Sequence, residues 1–188
     1  GHSVSLSNDG MRVAIGAPFK SISEFGIEVG HVRVYQYVRE QNLWEQMGSD
    51  IDGQIAEECN GHSVSLSGDG KRVAIGAWPG VYIAESLYFN YEDGIVDGGL
   101  NKGHVRVYKY EEEQGGSWKQ VGSDIVGEAE YSPSGYSVSI SNDGNHVAIG
   151  ENMGDTSLWG MIYDHETINH VRVYEYDKTD WTQMGATI

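Results

Sequence analysis

The chain predicts an all-β fold, a β-propeller segment of three four-stranded antiparallel blades, on three observations. One phrase is written three times: Gly-His-Ser-Val-Ser-Leu-Ser-Asn-Asp-Gly at 1–10 returns as Gly-His-Ser-Val-Ser-Leu-Ser-Gly-Asp-Gly at 61–70 and as Gly-Tyr-Ser-Val-Ser-Ile-Ser-Asn-Asp-Gly at 135–144. Each copy is followed, in the same order, by Val-Ala-Ile-Gly (13–16, 73–76, 147–150), by His-Val-Arg-Val-Tyr-x-Tyr (from His31, His104 and His170) and by Trp-x-Gln (from Trp44, Trp118 and Trp181). The units, 54 to 74 residues long, each hold four short runs of β type, which is the pattern of a propeller blade. The expected boundaries are 1–60, 61–134 and 135–188.

The elements follow in order. Residues 3–7 alternate with period two, and the Asp-Gly of 9–10 is the turn that folds one strand back on the next. Residues 11–15 form the second strand. Residues 31–37 form the third, with Val32 and Val34 on one face and Arg33, Tyr35 and Tyr37 on the other. Apolar and aromatic side chains on both faces predict a sheet covered on both sides, as in stacked blades. Residues 44–48 form the short outer strand, and residues 50–53 then lead across to the next unit. The units differ mainly in the loop between second and third strands (17–30, 77–103 and 151–169), so this rim is where a binding surface is expected.

Composition narrows the function classes. Only 3 prolines but 26 glycines suit strands joined by tight turns, and 28 acidic residues against 12 basic ones give a net charge of −16. That field repels nucleic acid and acidic membranes, and no window has the length and apolarity of a membrane span. The single cysteine, Cys59, cannot close an internal disulfide.

The order Gly-x-Ser-Val-x-Leu-x-x-Asp-Gly-x-x-Val-Ala-Ile-Gly-Ala-Pro, then Gly-x-Val-x-Val-Tyr, resembles the FG-GAP repeat of integrin α-type propellers across essentially the whole chain. Gly16-Ala17-Pro18 carries the full GAP element, Gly76-Ala77-Trp78 lacks its proline, and Gly150-Glu151-Asn152 keeps only the glycine. The aromatic of FG is replaced by Asn60 and Ser134. The resemblance implies an extracellular or cell-surface adhesion module, and calcium as the metal such repeats hold. Aligning the calcium loop on Asp9-Gly10 places Ser5, Ser7 and Val13 at the other ligand positions, too few carboxylates for that ion. Hence no cofactor or metal is expected, with Asp9, Asp69 and Asp143 as the only candidate ligands.

The other repeated polar residues read as architecture. His2 and His62, and His31, His104 and His170, recur without a local pair at metal-ligand spacing. Arg33, Arg106 and Arg172 sit mid-strand and need carboxylates, the candidates being Asp9, Asp69 and Asp143 or Asp50 and Asp124. Ser3 and Ser63 lie inside a repeated strand, which argues against a hydrolase nucleophile. The variable loops supply the candidate binding residues: Trp78, Tyr82, Tyr88, Phe89 and Tyr91 in the second unit, Trp159 and Tyr163 in the third. The expected function is therefore a non-enzymatic binding or adhesion module that engages a protein or glycan through these loops. The alternative is a structural subunit of a larger extracellular or organellar assembly.

Three blades do not close a circle, since propellers carry four to eight. Each raw face would expose ~500 Å² of apolar surface, worth on the order of 12 kcal/mol at about 25 cal/mol per Å². Further blades, for a total of six or seven, or another copy are expected to cover them.

Overall fold

The computed structural model describes residues 1–21, 29–54, 58–78, 102–128, 134–151 and 170–188. These residues form an all-β structure of three antiparallel sheets. The first contains β1 (Ser3–Leu6), β2 (Arg12–Ala17), β3 (His31–Val38), β4 (Leu43–Gln46) and β5 (Ile51–Asp52). The second contains β6 (Asn60–Leu66), β7 (Arg72–Ala77), β8 (His104–Glu111), β9 (Ser117–Gln120) and β10 (Ile125–Val126). The third contains β11 (Ser134–Ile140), β12 (His146–Glu151), β13 (His170–Tyr176) and β14 (Trp181–Gln183). Register is the same in all three: Val4, Val64 and Val138 oppose Ile15, Ile75 and Ile149, which in turn oppose Arg33, Arg106 and Arg172.

The serine and aspartate of each repeated phrase build the first turn. Ser7 Oγ donates to Asp9 Oδ1 at 2.6 Å, which also accepts the Met11 amide at 2.9 Å, while Ser7 Oγ accepts the Arg12 amide at 2.9 Å. Ser67 with Asp69 and Ser141 with Asp143 repeat the arrangement. Gly10 has φ 69°, a conformation glycine enters at no steric cost.

One expectation fails here. Residues 50–53 do not simply cross to the next sheet: Ile51 and Asp52 pair back onto Val32 and His31, and Ile125 and Val126 onto Val105 and His104, adding a fifth short strand to the first two sheets. The backbone polar groups of the exit segment find partners on the near end of the third strand, left free because β4 and β9 pair only with its far end.

The core lies between sheets. Val32, Val34, Met47 and Ile51 of the first sheet pack with Val64, Leu66, Val73, Ile75 and Tyr108 of the second. The second sheet's other face, with Ala74, Val105, Val107 and Ile125, packs with Ile140, Val147, Ile149 and Tyr174 of the third. Burial on both faces therefore holds for the middle sheet only. The outer sheets each have one open face, where Val4 and Leu6 are 69% and 61% exposed at one end and Met184 is 44% exposed at the other.

Both junctions use the same polar atoms. Ser3 Oγ donates to the Gly61 carbonyl at 2.8 Å and Ser63 Oγ to the Gly135 carbonyl at 2.9 Å. Ser5 Oγ accepts the Leu66 amide and Ser65 Oγ the Ile140 amide, at 2.9 and 3.1 Å. The Trp118 indole N–H reaches back to the Met47 carbonyl and that of Trp181 to the Val121 carbonyl, at 2.7 and 2.8 Å. At Gly16 and Gly76 the sheets come so close that a Cβ would overlap the Gly61 and Gly135 carbonyl oxygens. This is why Val-Ala-Ile is followed by glycine in the first two units; at Gly150 a Cβ would meet Ser137 Oγ of the same sheet.

Candidate functional site

Register places the three mid-strand arginines beside acids. Arg33 holds Asp50 through two bonds, Nε to Oδ1 at 2.8 Å and Nη2 to Oδ2 at 2.7 Å, and these bonds keep the Asp50 carboxyl at about 2. Arg106 bonds Asp124 at 2.9 Å and also Glu58, a buried residue of the segment between first and second sheets that lies 3.1 Å from His104 Nε2. Burial pushes the Glu58 carboxyl up, but His104 and Arg106 outweigh it and leave the group below the usual value. Arg172 pairs instead with buried Glu151, whose other oxygen is 2.8 Å from His170 Nε2. One buried Arg–carboxylate–His arrangement is thus built twice, its acid coming from the linker in one case and from the end of β12 in the other.

Of the partners expected for these arginines, Asp50 and Asp124 hold, while Asp9, Asp69 and Asp143 serve their own turns. Glu58 and Glu151 were not legible because neither is repeated at its own position. Their signal is the need itself: a buried arginine must find an acid. His31, Asp50 and Asp52 also bring ligand atoms within 4.8 Å of one another, but both Asp50 oxygens already accept from Arg33.

A second cluster gathers where β1, β6 and β11 begin. These strands lie side by side, so the residue after each repeated glycine comes into a row: His2, His62 and Tyr136. The His2 and His62 rings are 5.0 Å apart, His62 and Tyr136 are 5.4 Å apart, and Trp78, directly after β7, lies 4.9 Å from His62 and 5.6 Å from Tyr136. Phe19 closes the row against His2 at 5.9 Å. Burial, reinforced by the neighbouring His2, lowers the pKa of His62 and keeps its ring neutral at neutral pH. His62 Nδ1 and Trp78 Nε1 are buried with no hydrogen-bond partner, an arrangement proteins retain for a ligand, a water or a chemical role. The histidines that read as packing residues are therefore part of a polar aromatic cluster.

Among the expected binding residues, Trp78 falls in this cluster, while Tyr82, Tyr88, Phe89, Tyr91, Trp159 and Tyr163 lie outside the described residues. A recess of about 300 Å³ is lined by Tyr136, Ser137, Gly150, Glu151, His170, Val171 and Ile188. It sits on the open face of the third sheet, where the other two junctions hold the glycine carbonyl of a following unit.

No family model and no curated protein matches the chain. Solved structures do. A candidate 6-phosphogluconolactonase from Bacteroides uniformis matches with a TM-score of 0.52 at 12% identity, over 98% of this chain and 40% of that one. A second candidate 6-phosphogluconolactonase, from Bacteroides fragilis, matches with a TM-score of 0.52 at 15% identity, over 98% of this chain and 38% of that one. The chain thus spans about two fifths of the length of these structures, and the likeness is one of fold.

The comparisons correct the functional expectation. The two structures that share the fold are described as candidate 6-phosphogluconolactonases, and neither points to FG-GAP repeats or to adhesion. The reading as a non-enzymatic adhesion module, and with it the structural-subunit alternative, is set aside. Its basis was a shared turn-and-strand phrase, and here that phrase serves hairpin and junction geometry, which fixes a fold without fixing what the fold does.

Proposed function

We propose that the three sheets are blades of a β-propeller, and that the propeller is a hydrolytic enzyme acting on a small carbohydrate-derived lactone at the cluster of His2, His62, Trp78 and Tyr136. The observation that carries this reading is the pair of buried, unpartnered ring nitrogens, His62 Nδ1 and Trp78 Nε1, beside one another in a row of aromatic rings. A ring stack binds the apolar face of a sugar, and unsatisfied polar atoms supply directional bonds to its oxygens. A neutral imidazole takes a proton from an attacking water, and the indole N–H and the Tyr136 hydroxyl are donors for the carbonyl oxygen that gains charge. The C–O bond of the lactone ring then breaks, the proton passes to the ring oxygen, and a hydroxy acid leaves.

The fold neighbours support the lactone class, while the charge argues against a phosphorylated substrate. A net charge of −16 repels a phosphate, and the Arg33, Arg106 and Arg172 guanidinium groups are already engaged by carboxylates. Glucono-δ-lactone, followed by acid release in weak buffer, tests the reading. The chain is expected to accelerate ring opening above the spontaneous rate, and His62→Gln to lower that acceleration about 100-fold or more with the thermal transition intact. A wild-type rate equal to the uncatalysed one rejects it.

A further inference from the structure

His62 and Tyr136 reach the ring row by leaving the β ladder. In β6 Asn60 stands against Ala77 and Ser63 against Gly76, so Gly61 and His62 bulge out between them. In β11 Ser134 stands against Glu151 and Ser137 against Gly150, and Gly135 and Tyr136 bulge out in the same way. A bulge re-aims the side chain it carries and recurs beside active sites. Gly61 and Gly135 have φ of 89° and 88°, a conformation open to glycine, and the His62 and Tyr136 rings that follow them lie 5.4 Å apart.

Bulged residues lack the cross-strand bonds that fix a strand, and in the first bulge the His62 amide turns back to the Cys59 carbonyl at 3.1 Å. The neighbouring sheet supplies the hold. Ser3 stands opposite Gly16 and Ser63 opposite Gly76 in register, so a hydroxyl lies beside a position without a Cβ. Into each slot the next sheet's bulge inserts a carbonyl: Ser3 Oγ donates to that of Gly61 at 2.8 Å and Ser63 Oγ to that of Gly135 at 2.9 Å. A Cβ on Gly61 would meet the His31 carbonyl oxygen at 2.8 Å and the Gly16 Cα at 3.1 Å, so the bulge is seated on the first sheet. The gripped carbonyl shares a rigid peptide plane with the amide of the next residue. Holding it fixes where the His62 or Tyr136 side chain starts.

We infer that Ser3 and Ser63 are positioning residues of the ring cluster: Ser3 Oγ holds the bulge that aims His62, and Ser63 Oγ holds the bulge that aims Tyr136. Each acts through the residue it aims. Their catalytic consequence rests on the lactone reading, whereas their hold on the rings does not. Ser5 provides the comparison that separates aiming from mere support of the junction. Its Oγ accepts the Leu66 amide at 2.9 Å across the same junction, but Leu66 pairs with Val73 inside the ladder, away from the bulge.

Nuclear magnetic resonance titration of the histidine rings decides it, with Ser3→Ala, Ser3→Thr and Ser5→Ala compared with the wild-type chain. Burial, with His2 adding to it, holds the His62 pKa below its ordinary value. Ser3→Ala is expected to move it up toward about 6.5 with a cooperative thermal transition retained. Ser3→Thr, which keeps the hydroxyl, is expected to restore the wild-type value. Ser5→Ala is expected to leave it in place, although it too removes a junction hydrogen bond. On glucono-δ-lactone, Ser3→Ala is expected to lower kcat roughly 10- to 100-fold with KM unchanged, and Ser5→Ala to leave kcat unchanged. A His62 pKa that stays in place in Ser3→Ala, or moves equally in Ser5→Ala, overturns the assignment. So does a Ser3→Ala chain that has lost its cooperative transition, since the hydroxyl would then serve the fold as a whole. A moved pKa together with an idle wild-type chain rejects the lactone reading and leaves the positioning role standing.

Discussion

At the scale of single residues, the chemistry turns on where buried charge finds a partner. Glu58 stands between His104 and Arg106 at a position that has no repeated counterpart, yet the second sheet depends on it. Removing one member of a buried ion pair leaves an uncompensated charge and costs about 3–5 kcal/mol. Glu58→Gln is therefore expected to lower unfolding stability by that order in a denaturant titration, whereas Glu112→Gln, which loosens the exposed pair with Lys71, is expected to cost less than about 1 kcal/mol. Equal effects would mean that Glu58 is not the counter-ion of Arg106. These acids could not be found from the repeat pattern: a period marks what every unit shares, and Glu58 and Glu151 are two answers to one need drawn from different segments.

At the scale of elements, the repeated phrase divides its labour. Ser7, Asp9 and Gly10 close the hairpin, Ser3 and Ser5 bind the next sheet, and Val4 and Leu6 supply apolar surface. Serine alternates with apolar residues along this strand. Both faces are in fact used, because the serine hydroxyls satisfy backbone atoms of the neighbouring sheet. Glycine at the end of Val-Ala-Ile-Gly sets the distance between sheets. Gly76→Ala would force the Gly135 carbonyl away, an overpacking cost of about 1–3 kcal/mol. A matching fall in the unfolding midpoint is expected, and a neutral result would show that the second and third sheets do not approach as described. The fifth short strands were not legible, since two residues carry no periodicity and their pairing depends on how β4 and β9 leave the near end of the third strand uncovered.

At the scale of the whole molecule, stability should fall on acidification in a defined order. Burial lowers the pKa of His31 and of His62, so the unfolded chain takes up these protons first. Their contribution is complete above the unfolded value of about 6.5 and is lost as pH falls below it toward the folded value. Carboxyls with lowered pKa, Glu58 and Asp50 among them, add their loss only below about pH 4.5. The melting temperature should thus already decline as pH falls below about 6.5, before the carboxyls titrate, and His62→Gln should flatten part of that slope. A slope untouched by the substitution would show that the His62 ring is as accessible to protons in the folded state as in the unfolded one.

The sequence by itself determined the three sheets, their hairpins and their common register, because those features rest on period-two alternation and on turn residues that act within a few positions of one another. It also placed apolar residues on both sides of each unit, which the middle sheet buries on both faces. Only the tertiary structure decided which acids neutralise the strand arginines and that His2, His62, Trp78 and Tyr136 meet in one row. His62, Trp78 and Tyr136 lie 60 to 134 positions from His2 in the chain, and stacking of sheets, not local pattern, brings neighbouring rings of the row to between 4.9 and 5.6 Å. What a repeated histidine touches is decided by what stands across the junction from it, and that is a property of the fold.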